Sequence, residues 1–174
     1  MHLSPAGHAG ESHRHLIVCR ALLVTAFCVS AGVHLALTPE HLSESLVLGG
    51  AFAVGAAGSA ILAVILAVGE EGRAWVGTAT LALLAMVAAY PLVHLGGAQS
   101  LGIPAEPADV LGYLTVAVEL VGVACGVVLF RSSGDAAAPV CQRQLSLVPV
   151  VLITIYATLF ALALNHPMTH GMGM

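Results

Sequence analysis

Five long apolar runs, separated by short polar breaks, organise the chain. Crossing a hydrocarbon core of about 30 Å takes about 20 helical residues at 1.5 Å each. Runs at about 16–38, 44–68, 75–97, 110–130 and 145–165 reach that length. The breaks are Thr38-Pro39-Glu40-His41, Gly69-Glu70-Glu71-Gly72-Arg73, a Gly/Pro/Glu stretch over 98–109, and the segment 131–143, which carries Arg131 and Arg143. Gly and Pro interrupt helices and charged groups avoid lipid, so these are loops. The pattern predicts an all-α integral membrane bundle of five transmembrane helices. A single transmembrane domain would fill 16–165, between an N-terminal His-containing arm at 1–15 and a Met/His-rich tail at 166–174. The rival is that the first run is a cleaved signal, leaving four spans. Its length exceeds the usual apolar core of such a segment, Arg20 lies inside its start, and no small-residue cleavage pattern follows before Pro39.

Composition reinforces the pattern. The 174 residues are 59% hydrophobic and 8% charged, with no Lys, whereas soluble domains carry roughly a quarter charged residues. Mean hydropathy is +0.98. A net charge of -4 from so few groups offers no basic patch, which sets nucleic acid aside and leaves the lipid bilayer as the expected surroundings. A membrane-protein partner or a homo-oligomer is left open.

Arg placement gives an orientation, because Lys and Arg are retained on the cytoplasmic side. Arg14, Arg20, Arg73, Arg131 and Arg143 all fall on one side of a five-span arrangement. The other side carries Glu40, Glu44, Glu106 and Asp109. The expectation is a multi-pass protein of the cell membrane, N-terminus inside and C-terminus outside. Small residues mark helix seams in lipid: Ala51, Gly55 and Ser59 in the second span, Gly122 and Gly126 in the fourth.

Polar residues inside the spans carry the chemistry, since an ionisable group at mid-bilayer costs about 2.5–3.5 kcal/mol on insertion scales. Glu119 lies nine residues into the fourth span, about 13 Å deep, on the Gly122/Gly126 face. It reads as a metal ligand or proton carrier, or as a carboxyl hydrogen-bonded to Thr78, Thr80 or Ser59. His34 and His94 stand a turn from the external ends of the first and third spans, and Pro91 beside His94 is a place for a kink. Either His alone is also explained as a satisfied core or interfacial histidine. In the connection after the first span, Thr38 reads as an N-cap with Pro39 in the first turn of the next helix. His41 and Glu44 then share a face, a workable metal pair, although Glu40 and Glu44 also suit a helix N-terminus. His34, Pro39-Glu40-His41 and Glu44, the apolar run after them and the Glu-bearing fourth span resemble a group of small multi-pass bacterial membrane proteins. That resemblance implies four or five helices around an external-face polar cluster and brings no activity with it.

The tail, His166-Pro167-Met168-Thr169-His170-Gly171-Met172-Gly173-Met174, gathers thioether and imidazole ligands of the kind that favour copper. A tail that binds nothing is the plain alternative. His2, His8, His13 and His15 form a second His-rich tract, which a solvated arm explains equally. Cys19, Cys28, Cys125 and Cys141 form no motif and read as small packing residues rather than disulfides. The chain has no phosphate loop, nucleophile elbow or dinucleotide fingerprint, so nothing argues for a soluble enzyme. The leading expectation is a membrane protein binding a transition metal, copper, at its external face, for metal resistance, transfer or uptake. The tail residues His166, Met168, His170, Met172 and Met174 would collect the ion, and His34, His41, Glu44, His94 and Glu119 would form an inner site. The alternatives are a haem-binding electron-transfer subunit with His34 and His94 as axial ligands, and a structural subunit without metal.

Overall fold

A computed structural model describes residues 6–69, 72–95, 109–132 and 147–165. They form five helices: α1 (Ala6–Glu44), α2 (Leu46–Val68), α3 (Arg73–His94), α4 (Val110–Ser132) and α5 (Leu147–Asn165). Each contains a stretch long and apolar enough to cross a membrane, and together they fit a helical membrane bundle. The tail at 166–174, with its five candidate ligands, lies outside the described residues, as does Cys141.

Two boundaries differ from the sequence expectation. Helix α1 begins at Ala6, within the segment read as an arm, and it runs straight through Pro39 to Glu44. Thr38 is therefore not an N-cap, and Pro39 does not open the second helix. Proline removes one N–H from the ladder, and near a helix end the adjoining turns absorb that loss. Thr38 instead donates its hydroxyl back to the His34 carbonyl (2.6 Å), and Ser43 donates to Glu40 (2.6 Å). Ser45 alone separates the two helices. Its extended backbone turns the chain, and its Oγ accepts from the Leu48 N–H at 3.3 Å, a cap worth about 1 kcal/mol. The sharp turn sets Gly49 on the backbone of Leu42, where a side chain has no room.

Helix α1 is the centre of the bundle. Helices α2, α4 and α5 pack against it, and α3 packs mainly on α4. Leu23, Val24, Ala26, Phe27 and Cys28 of α1 are buried among Ala63, Leu66 and Ala67 of α2, Val76, Ala79 and Leu83 of α3, Cys125 and Leu129 of α4 and Val150 of α5. Large apolar side chains such as Val54, Leu81 and Leu159 face outward, as expected where the surrounding solvent is lipid. Without water to drive burial, close backbone approach holds such helices together. A Cβ on Gly122 would stand 2.6 Å from Leu83 and 2.7 Å from Ala26, so the expected α4 seam is present. In α2 the seam follows Leu48, Ala56, Ser59, Ala63 and Leu66, while Ala51 is exposed. Strict four-residue steps drift around a helix of 3.6 residues per turn, which carries Ala51 off the face.

Arg20 sits within α1 and is only 7% exposed. Its guanidinium reaches the end of α2, donating to the Leu66 carbonyl through Nε (3.0 Å) and Nη2 (2.8 Å), and to Gly69 (3.3 Å). The last carbonyls of a helix have no internal partner and carry its negative dipole end. A planar fork of donors satisfies both conditions at once.

Candidate functional site

Ser30 of α1 is fully buried, one turn before His34. Its hydroxyl donates to Glu119 Oε1 of α4 at 2.7 Å. Met86 Sδ of α3 and His34 Nδ1 each stand 3.3 Å from the same Oγ. Ser59 of α2, also fully buried, turns its hydroxyl to Met86 Sδ at 3.8 Å. Four helices thus bring an imidazole, a thioether, a carboxyl and two hydroxyls to one place. Glu119 is 2% exposed and lies on the same face as Thr115, Gly122 and Gly126, as its spacing predicted.

The partner of Glu119 differs from those expected. Thr80 donates back to the Val76 carbonyl (2.8 Å), Thr78 is exposed, and Ser59 points at the thioether. Ser30 also closes the depth gap between His34 and Glu119, because it lies about 6 Å deeper than His34 by helical rise.

His34 donates from Nδ1 to the Ser30 carbonyl, 2.8 Å away. Carbonyls only accept, so this nitrogen carries the proton in that bond. The ring lies against Gly55, where a Cβ would come within 2.9 Å of His34 Cδ2; the glycine makes room for the imidazole. Phe52 of α2 touches His34 (centroids 5.0 Å apart) and His41 (4.2 Å), two α1 rings separated by two turns. His41 is buried, and its Nδ1 is 3.4 Å from Glu44 Oε2, so the expected i,i+3 pair forms at the end of α1. Glu40 is taken by Asn165 of α5, which donates from Nδ2.

Comparison with known proteins gives no matching family model, no matching curated protein and no matching solved structure. The site must therefore be read from its own chemistry.

The five inner candidates do not make one shell. Among the described residues, no three His, Cys, Asp or Glu side chains are grouped so that they could hold a metal ion. His34 and Glu119 meet at Ser30; His41 and Glu44 pair at the helix end. His94 belongs elsewhere: Nδ1 bonds to the Tyr90 carbonyl (2.8 Å), and its ring stacks on Tyr90 (4.0 Å), which in turn contacts Tyr113. The physical reason lies in the topology. Helix α3 packs mainly on α4, so His94 joins Tyr90 and, through it, Tyr113 of α4, while Val93 beside it packs against Leu48 of α2. Helix α3 runs on through Pro91 to His94. Cys19, Cys28 and Cys125 are free thiols.

Sequence reasoning missed Ser30, Met86 and Phe52. The Ser30–His34 spacing of one turn was available as a signal, since such residues share a face. Nothing local marks Met86, whose position depends on how α3 meets α1.

Proposed function

We propose that this chain is a multi-pass cell-membrane protein that binds a transition-metal ion, copper, from the external side. The observation that carries this is the meeting of His34, Met86 and Glu119 about the Ser30 hydroxyl, inside a span where polar groups are costly. His41 and Glu44 stand above it at the end of α1 and offer the ion a first contact on its way in. The tail, with His166, Met168, His170, Met172 and Met174, has the composition of a copper collector. Orientation is supported by charge: Arg20, Arg73 and Arg131 gather at one end of the helices, Glu40, Glu44 and Asp109 at the other. A five-span topology is supported by the central place of α1, whose removal would strip α2, α4 and α5 of their common packing surface.

The test is elemental analysis of the purified full-length chain, followed by Cu(I) competition against a chromophoric chelator. At least one tightly held copper per chain is expected. A protein without metal and without measurable Cu(I) affinity contradicts the proposal and leaves a structural subunit. A Soret band would establish haem instead; His34 and His94 lie in separate clusters, so no observation favours that reading.

A further inference from the structure

We infer that the inner site is selective for a soft monovalent cation, Cu(I) or its probe Ag(I), and that Met86 is the ligand that makes it so, with His34 and Glu119 beside it. This rests on the metal-binding reading above and adds to it a ligand and a charge state.

The first ground is the direction of two hydroxyls. Thr38, Thr80, Thr115, Ser132, Thr154 and Thr158 each donate to the carbonyl one turn back, the ordinary resting place of a helical hydroxyl. Ser30 and Ser59 do not. They come from different helices and are both fully buried; Ser30 donates to Glu119 with its Oγ 3.3 Å from Met86 Sδ, and Ser59 turns its hydroxyl to the same sulfur at 3.8 Å. A thioether is a weak acceptor, so hydrogen bonding alone is a poor reason to aim the buried Ser59 hydroxyl at it. As part of a ligand pocket the arrangement has a purpose: Ser59 holds the sulfur, and Ser30 holds the carboxyl beside it.

Charge is the second ground. Glu119 is the one acidic side chain at this depth, and Ser30, Ser59, Met86 and neutral imidazole bring no further negative charge. A carboxylate with a monovalent ion gives a neutral site. A divalent ion would leave one positive charge uncompensated in a low-dielectric interior, which is costly. Ligand softness points the same way, because thioethers select Cu(I) while imidazole accepts it. Ligation by His34 Nδ1 exchanges its bond to the Ser30 carbonyl for the metal and moves the ring proton to Nε2, on the Gly55 side.

The experiment uses the full chain with His166, Met168, His170, Met172 and Met174 replaced by alanine, so that tail binding is silent. Cu(I) and Ag(I) affinities are measured by competition and Zn(II) by titration, in this background and with Met86→Leu added. Leucine conserves volume, and melting temperature reports whether the variant is folded. The expected result is one Cu(I) or Ag(I) bound per chain in the background, and an affinity at least tenfold lower with Met86→Leu while Zn(II) is unmoved. Met86→His, which keeps a ligand but makes it harder, is expected to shift preference from Cu(I) toward Zn(II). Equal Cu(I) affinity with methionine and leucine overturns the inference. So does a loss of Cu(I) and Zn(II) in equal measure. If the intact tail binds Cu(I) but the tail-silent chain does not, the inner site is wrong while the external metal reading stands. If neither binds, both fall.

Discussion

Two buried polar features of helix α1, Arg20 and Ser30, are satisfied in opposite ways. Arg20 finds backbone: the orphan carbonyls at the end of α2 absorb its donors, and the charge meets a helix dipole. Ten residues further on, Ser30 finds side chains, a carboxyl from α4 and a thioether from α3, with His34 beside it. The first arrangement completes a helix terminus that any bundle must complete. The second brings together groups that no helix terminus requires, at a depth where each costs energy to place. A helix terminus accounts for Arg20; the Ser30 cluster is held by side chains of other helices.

That contrast can be broken by substitution. Arg20→Leu should have the largest effect on stability, about 3 kcal/mol, since it removes several charge-assisted bonds and leaves buried carbonyls bare. Thermal melting in detergent measures it, and the Cu(I) affinity of the folded fraction should not change. Gly122→Val tests the neighbouring seam by overpacking against Leu83 and Ala26 and should cost about 2 kcal/mol in the same assay. Glu119→Gln should behave as the inverse of Arg20→Leu. Melting should move by less than about 1 kcal/mol, because the amide can still accept from Ser30, while Cu(I) affinity in the tail-silent chain falls at least tenfold. Ser45→Ala should cost about 1 kcal/mol through loss of the α2 cap, without touching metal. His94→Ala should be the smallest of the set for binding: its partners are Tyr90 and Tyr113, and Cu(I) affinity should stay within error of the parent.

The five helices were legible because hydrocarbon thickness imposes a length on every span, and a chain with 8% charged residues has few ways to disguise that length. The α4 face was legible too, since Glu119, Gly122 and Gly126 recur at helical spacing. Local punctuation misled at Pro39: a proline in a polar stretch reads as a boundary, yet α1 carries it inside the helix because the missing bond is a single one near the end. The grouping of ligands was the least legible. His34 and His94 stand at similar depths, but depth says nothing about azimuth, and helix packing sent them to different neighbours. Met86 entered the site for the same reason, through a packing arrangement that no stretch of α3 encodes by itself.

X-ray absorption at the copper edge, on Cu(I)-loaded full chain with the five tail ligands replaced by alanine, tests the central claim most directly. The account predicts one sulfur scatterer together with nitrogen or oxygen in the copper shell, the sulfur lost in Met86→Leu. Copper surrounded by nitrogen and oxygen alone in the methionine-bearing chain, or a sulfur shell that survives the leucine substitution, would contradict it.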